Sequence, residues 1–164
     1  MMIKKIKITE TTTIQYYETV MNTEKASSVK CPRPPVPAFL ADCREFGRYT
    51  FEAIDLPADW KGSVQISITE FAFRYVENGS FGVVLTFVKK VDNYKTPMVI
   101  KSPVLWEGSL PPDMVNKIFQ IQQHAKDFIN GKRAQRDMID DVTLDGSHVK
   151  NGQIIVDFST GEIL

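Results

Sequence analysis

Between Val64 and Phe87 apolar and polar residues alternate, and the alternation changes phase once. Val64, Ile66 and Ile68 alternate with Ser63, Gln65, Ser67 and Thr69, whereas Phe71, Phe73 and Tyr75 fall on the opposite parity. Side chains of a strand alternate between two faces, so a half-buried strand cannot switch parity without an extra residue. The pattern therefore predicts a β-bulge near Thr69-Glu70. Asn78-Gly79 predicts a hairpin turn, with Phe81, Val83, Leu85 and Phe87 on the returning strand. Asp92-Asn93 marks a further turn, and Met98-Val99-Ile100 a short third strand ending at Pro103. The sum is an antiparallel meander from Val64 to Ile100.

An amphipathic helix is predicted from Pro111 to Asn130. Pro111-Pro112-Asp113 supplies proline and a carboxylate to the first turn, and Asn130-Gly131 supplies a left-handed stop. Val115, Ile118, Phe119, Gln122, Ala125, Phe128 and Ile129 form its expected inner face. A first helix is read from Phe39, Leu40, Cys43, Phe46, Thr50 or Phe51, and Ile54, with Gly47 inside it and Pro57 closing it. Ile6 and Ile8, then Thr12, Ile14 and Tyr16, read as two half-buried strands. Asn22 to Pro37 reads as a loop because it holds Pro32, Pro34, Pro35 and Pro37. Asn151-Gly152 predicts a final hairpin between a segment ending at Lys150 and one from Gln153 to Phe158. The expected fold class is α+β: an antiparallel β-meander packed by two amphipathic helices, with an extra C-terminal hairpin. Residues 1–141 form the expected domain. Residues 142–164 form a tail that packs on the same domain or on a partner chain.

The chain has 164 residues, long enough for one domain to bury a core without staples. Its 20 basic and 20 acidic residues cancel, which argues against a uniformly basic nucleic-acid binder but permits a local patch and eases self-association. Cys31 and Cys43 are the only cysteines, too few for a disulfide framework, so reduced thiols and a cytosolic setting are expected. The basic start, Met1 to Ile8, runs into polar Thr9 to Thr13, which resembles neither a signal peptide nor a membrane anchor. No run approaches a membrane span.

Catalytic vocabulary is sparse. There is no His-Glu-x-x-His, Cys-x-x-Cys, Gly-x-Ser-x-Gly or Walker-type loop, so no cofactor, metal or catalytic residue is assigned. His124 lies beside the apolar face of the second helix and reads as a boundary residue, since a general base needs an orienting partner and none is local. His148 reads as a surface residue. Asp137, Asp140 and Asp141 read as a solvated acidic stretch pairing with Arg133 and Arg136. Cys43 reads as core, and Cys31 as a residue of the proline-rich loop.

Aromatic residues are interleaved with bases in Phe73-Arg74-Tyr75, Phe87-Val88-Lys89-Lys90 and Tyr94-Lys95. Sheet-borne rings stack nucleobases while cations hold phosphates. The same alternation describes an aromatic core with a basic outer face, and that is the preferred reading for the rings. Lys89, Lys90, Lys95 and Lys101 collect near one end of the meander, and Lys132 and Arg133 follow the second helix. Lys89, Lys90, Lys95, Lys132 and Arg133 are the candidate phosphate contacts. Gln135 with Met138-Ile139 is a short match to sliding-clamp-binding peptides.

Three blocks between Thr86 and Gln135 resemble a family of small uncharacterised phage and prophage proteins. They are Thr86-Phe87-Val88-Lys89-Lys90, Pro97 to Pro103, and Leu110 to Val115 leading through Ala125 to Phe128-Ile129-Asn130-Gly131-Lys132-Arg133-Ala134-Gln135. The tail after Asp137 departs from that pattern. The resemblance implies a phage-associated origin and assigns no activity. The expectation is a non-enzymatic phage accessory protein that binds nucleic acid or a nucleoprotein complex in the host cytoplasm. The alternatives are an anti-defence protein that binds a host immune component, and a minor virion or assembly protein that self-associates.

Overall fold

In a computed structural model, the described residues are 1–54, 65–90, 95–131 and 154–157. They form an antiparallel sheet of eight strands with two helices on one face. The strands are β1 (Met2–Ile8), β2 (Thr12–Val20), β3 (Thr23–Cys31), β4 (Gln65–Tyr75), β5 (Phe81–Lys89), β6 (Met98–Lys101), β7 (Leu105–Trp106) and β8 (Ile154–Asp157). The helices are α1 (Pro37–Ala53), between β3 and β4, and α2 (Pro112–Ile129), between β7 and β8. The sheet order is β3-β2-β1-β4-β5-β6. β8 pairs with β4 at Gln65 to Ile68, and β1 pairs with the same strand further along, at Glu70 to Ala72. β7 and β6 likewise pair with β5 one beyond the other.

The bulge lies where the parity change requires it. Ile68 pairs with Phe87 and Glu70 with Thr86, leaving Thr69 as the additional residue. Ile66 and Ile68 before the bulge, and Phe71 and Phe73 after it, consequently all face the core. A second irregularity between Ile3 and Lys5 does the same for Ile3 and Ile6 in β1. The turn at Asn78-Gly79 is present, with Gly79 at φ 85° and its N–H donating to the Val76 carbonyl at 2.9 Å. Asp92-Asn93, Pro57 and the Asn151-Gly152 turn lie outside the described residues.

The segment from Asn22 to Pro37 is not one loop. Its first part is β3, paired with β2 over nine consecutive positions from Thr12↔Cys31 to Val20↔Thr23. The connection is Met21-Asn22, both with positive φ (51° and 62°), the conformation of a type I′ hairpin turn. Neither the turn nor the strand announces itself in sequence: methionine is unusual at such a turn, and β3 is polar because its first four residues are exposed on both faces. Cys31 therefore ends a strand, half-buried, rather than standing in the proline segment.

Both helices follow from their apolar spacing. α1 buries Phe39, Leu40, Cys43, Phe46, Gly47, Thr50 and Phe51. Gly47 is where the helix meets the sheet most closely: a Cβ there would overlap the Ile68 side chain. α2 runs from the cap at Pro111 to Asn130, with Gly131 at φ 102°. Its buried residues are Ile118, Ile121, Ala125 and Phe128. Ile121 completes this three-and-four stripe. Phe119, expected inside, lies on its shoulder with 46% of its surface exposed and one edge against Phe81, the ring centroids 5.7 Å apart. No helix among the described residues is long and apolar enough to cross a membrane.

Candidate nucleic-acid interface

Among the described residues, α1 and α2 both lie on one face of the sheet, and neither covers the other, open face. Register defines the open face, because residues paired across antiparallel strands share a side. Thr13, Lys7 and Glu70 lie in one row with Lys30 on the β3 side and Thr86 and Lys101 on the β6 side. The next row holds Ser28, Gln15, Lys5, Ala72 and Val84. Arg74, Gly82 and Trp106 form a third row across β4, β5 and β7. Among described side chains of the strands, Lys4, Lys5, Lys7, Lys30, Arg74 and Lys101 face this side, against the carboxylates Glu24 and Glu70. Lys5 is 3.5 Å from Glu70, whereas Lys7, Lys30, Arg74 and Lys101 are exposed. Among the described side chains, the balance of the open face is therefore positive in a chain whose net charge is zero.

The face also carries two aromatic residues. Trp106 is 42% exposed. Its ring lies on Gly82: a Cβ at Gly82 would come within 2.8 Å of Trp106 Cε3. Glycine is thus what lets the indole and the Val104 side chain approach the sheet this closely. Tyr17 is half-buried, with Lys4 Nζ 5.4 Å from its ring centroid.

The rings singled out by the aromatic-base pattern are placed otherwise. Phe73 and Phe87 are core residues. Tyr75 turns toward α2, where its hydroxyl donates to the Ile3 carbonyl at 2.6 Å and accepts from Gln122 Nε2 at 3.3 Å. Burial pushes its pKa up to about 12, opposed by the Gln122 hydrogen bond. These residues are the aromatic core of the pattern's second interpretation. Tyr94 lies outside the described residues.

Lys89 ends β5 on the helix side, half-buried and paired in register with Met98. Lys90 and Lys95 are exposed on either side of residues 91–94, at the same end of the sheet. Lys132 and Arg133, like Asp137, Asp140, Asp141 and His148, lie outside the described residues. Local pattern marks Lys101 only as a neighbour of this cluster and misses Lys7, Lys30 and Trp106, because their convergence depends on strand order and register.

A second polar cluster joins the helices. Asp42 of α1 accepts from Lys117 Nζ at 3.1 Å through one oxygen and lies 2.8 Å from His124 Nε2 through the other. Lys117 also reaches Glu45. The bond to Glu45, with Asp42 assisting against desolvation, raises the Lys117 pKa above the ordinary lysine range. The His124 ring stacks on Phe39 with centroids 5.5 Å apart. His124 thus has an orienting carboxylate, supplied by α1 rather than by its own helix. The neighbouring depression, about 490 Å³, is lined by Glu45, Asp113, Met114, Asn116, Lys117 and Gln120, none of them a nucleophile poised beside the imidazole. Cys43 is fully buried, and burial raises its thiol pKa well above the ordinary range. The arrangement clamps α1 to α2.

Comparison with family models, with curated proteins and with solved structures finds no match for this chain.

Proposed function

We propose that the protein is a non-enzymatic binding protein that holds single-stranded nucleic acid, free or in a nucleoprotein complex, on the open face of its sheet. The observation that carries this reading is the Arg74-Gly82-Trp106 row. It puts a cation and an exposed indole on adjoining strands about 5 Å apart per step, on either side of a residue with no side chain. A base stacked on Trp106 leaves its phosphate near Arg74, with Lys5 in the neighbouring row and Lys101 and Lys7 in the row beyond it continuing the positive track. A role as a phage accessory protein in a host cell belongs to the same proposal, and its support is the resemblance of the blocks between Thr86 and Gln135.

The test is a fluorescence-anisotropy titration of a single-stranded oligonucleotide at several salt concentrations. Affinity is expected to fall with salt, and Arg74→Glu combined with Lys101→Glu to flatten the slope by about 0.7 for each phosphate no longer neutralised. Trp106→Ala is expected to weaken binding roughly tenfold or more, the contribution of one stacked base. Absent or salt-independent binding by the unmodified protein would contradict the proposal.

A second reading, a protein partner such as a host defence component, draws support from the apolar rim of the same sheet. Val99 is 58% exposed and Met98 39% exposed on β6, at the same margin as Trp106 on β7. Recovery of one defence component by the unmodified protein, abolished by Val99→Asp, would favour it over nucleic acid.

A further inference from the structure

The sheet ends on one side at β3, whose outer edge is unpaired among the described residues for its full nine-residue length. Long, flat edges of this kind are pairing templates unless a proline, a bulge or an unfavourable charge blocks them. β3 contains no proline, and its ladder with β2 has no register shift. Its charges are Glu24, Lys25 and Lys30, all exposed.

Which backbone groups point outward follows from the turn. The two-residue turn at Met21-Asn22 closes on a hydrogen-bonded pair, Val20 with Thr23. Thr23 therefore directs its N–H and C=O toward β2, and alternate residues do the same: Lys25, Ser27, Val29 and Cys31. Glu24, Ala26, Ser28 and Lys30 direct theirs outward. An antiparallel partner must match outward residues with outward residues.

We propose that this edge pairs with the same edge of a second copy of the chain, antiparallel about a two-fold axis at Ser27, so that one sheet runs through both protomers. In that register Glu24 lies opposite Lys30 of the second copy, Lys30 lies opposite its Glu24, and Ala26 and Ser28 face each other in between. All four are outward residues, as the hydrogen-bond pattern demands. The two ion pairs sit on one side of the ladder, the open face, and opposite charges directly across a ladder stabilise it. The occupant is a second copy because the strand is complementary in charge to itself only under this two-fold operation. Sliding the pairing by two residues sets Glu24 against Pro32 in one direction, and Lys30 against Asn22 of the turn in the other, and removes both ion pairs. Sliding by one residue mismatches the hydrogen bonds throughout. A single shared strand pair buries less surface than a standard interface, so the dimer is concentration-dependent. It makes the two open faces continuous, but its existence does not depend on what those faces bind.

The test is sedimentation velocity of the full chain over a range of concentrations, with circular dichroism to confirm the fold of each variant. The unmodified protein is expected to pass from monomer to dimer. Glu24→Lys and Lys30→Glu, made singly, each turn two attractive pairs into two repulsive ones and are expected to weaken dimerisation roughly tenfold or more. The double exchange, Glu24→Lys with Lys30→Glu, restores complementarity and is expected to return the dissociation constant to within about threefold. Ser28→Pro removes one outward N–H while sparing the ladder to β2, and is expected to yield a folded monomer. If Ser28→Pro fails to fold, the charge exchange decides alone. A protein that stays monomeric at every concentration, or a dimer indifferent to the single reversals, would overturn the proposal.

Discussion

His124 Nε2 lies 2.8 Å from Asp42 Oδ2, joining the middle of α2 to the first turns of α1 across 82 residues of sequence. The other Asp42 oxygen accepts from Lys117, so one carboxylate ties two side chains of α2 to α1. The side chains are about four-fifths buried: 18% exposed for Asp42, 21% for Lys117 and 22% for His124. Removing Asp42 leaves both partners without this acceptor. Asp42→Ala is expected to destabilise the protein by about 1.5–3 kcal/mol in chemical denaturation, the range for hydrogen bonds to charged groups. Glu45→Ala, whose side chain is 53% exposed, is expected to cost less than half as much.

Gly47 and Ile68 make the closest approach of helix to sheet. Alanine at a helix interior normally stabilises by about 1 kcal/mol relative to glycine. Here the added Cβ has no room, so Gly47→Ala is expected to lower the melting temperature, with a net cost of about 1–3 kcal/mol. Ile68→Val deletes the Cδ1 atom that the new Cβ would meet. The double variant is expected to be more stable than the sum of the two single changes.

Tyr75 holds its proton to about pH 12 in the folded chain, against an ordinary value of about 10. Between those values the unfolded chain releases this proton and the folded chain keeps it. Stability contributed by the neutral phenol is therefore full below about pH 10 and falls as pH rises toward 12. Lys117, also raised, adds a loss of the same sign above the ordinary lysine range. Tyrosinate absorbance under native conditions is expected to show a late ionisation step from Tyr75, and Tyr75→Phe to remove that step.

Gly82 supports the proposed binding face indirectly. Gly82→Ala places a Cβ against the Trp106 ring and Val104 and is expected to lift the indole from the sheet. Oligonucleotide affinity should fall about as far as in Trp106→Ala, while circular dichroism shows the sheet intact.

Much of this architecture can be read from local pattern. The parity switch between Ile68 and Phe71 places the bulge, Asn78-Gly79 places a turn, and Pro111 and Gly131 bracket α2, because each is dictated by residues near it in sequence. β3 escapes such reading, since Met21-Asn22 adopts positive φ without glycine and an edge strand needs no apolar side. Phe119 falls off the inner face because it lies one residue, about 100° of helix rotation, beyond Ile118, whereas Ile121, Ala125 and Phe128 keep the three-and-four spacing. The candidate interface is still less legible. Arg74, Gly82 and Trp106 become neighbours only once β4, β5 and β7 are aligned, and His124 finds Asp42 only once the helices pack.

Binding of nucleic acid on the open face is decided by backbone and indole chemical-shift mapping of the protein titrated with a single-stranded oligonucleotide. Perturbations are expected to concentrate on that face, at Lys7, Arg74, Gly82, Lys101 and the Trp106 indole N–H, with α1 and α2 unaffected. Perturbations confined to Lys89, Lys90 and Lys95 at the β5–β6 end, or to the Asp42-His124 junction, would refute it.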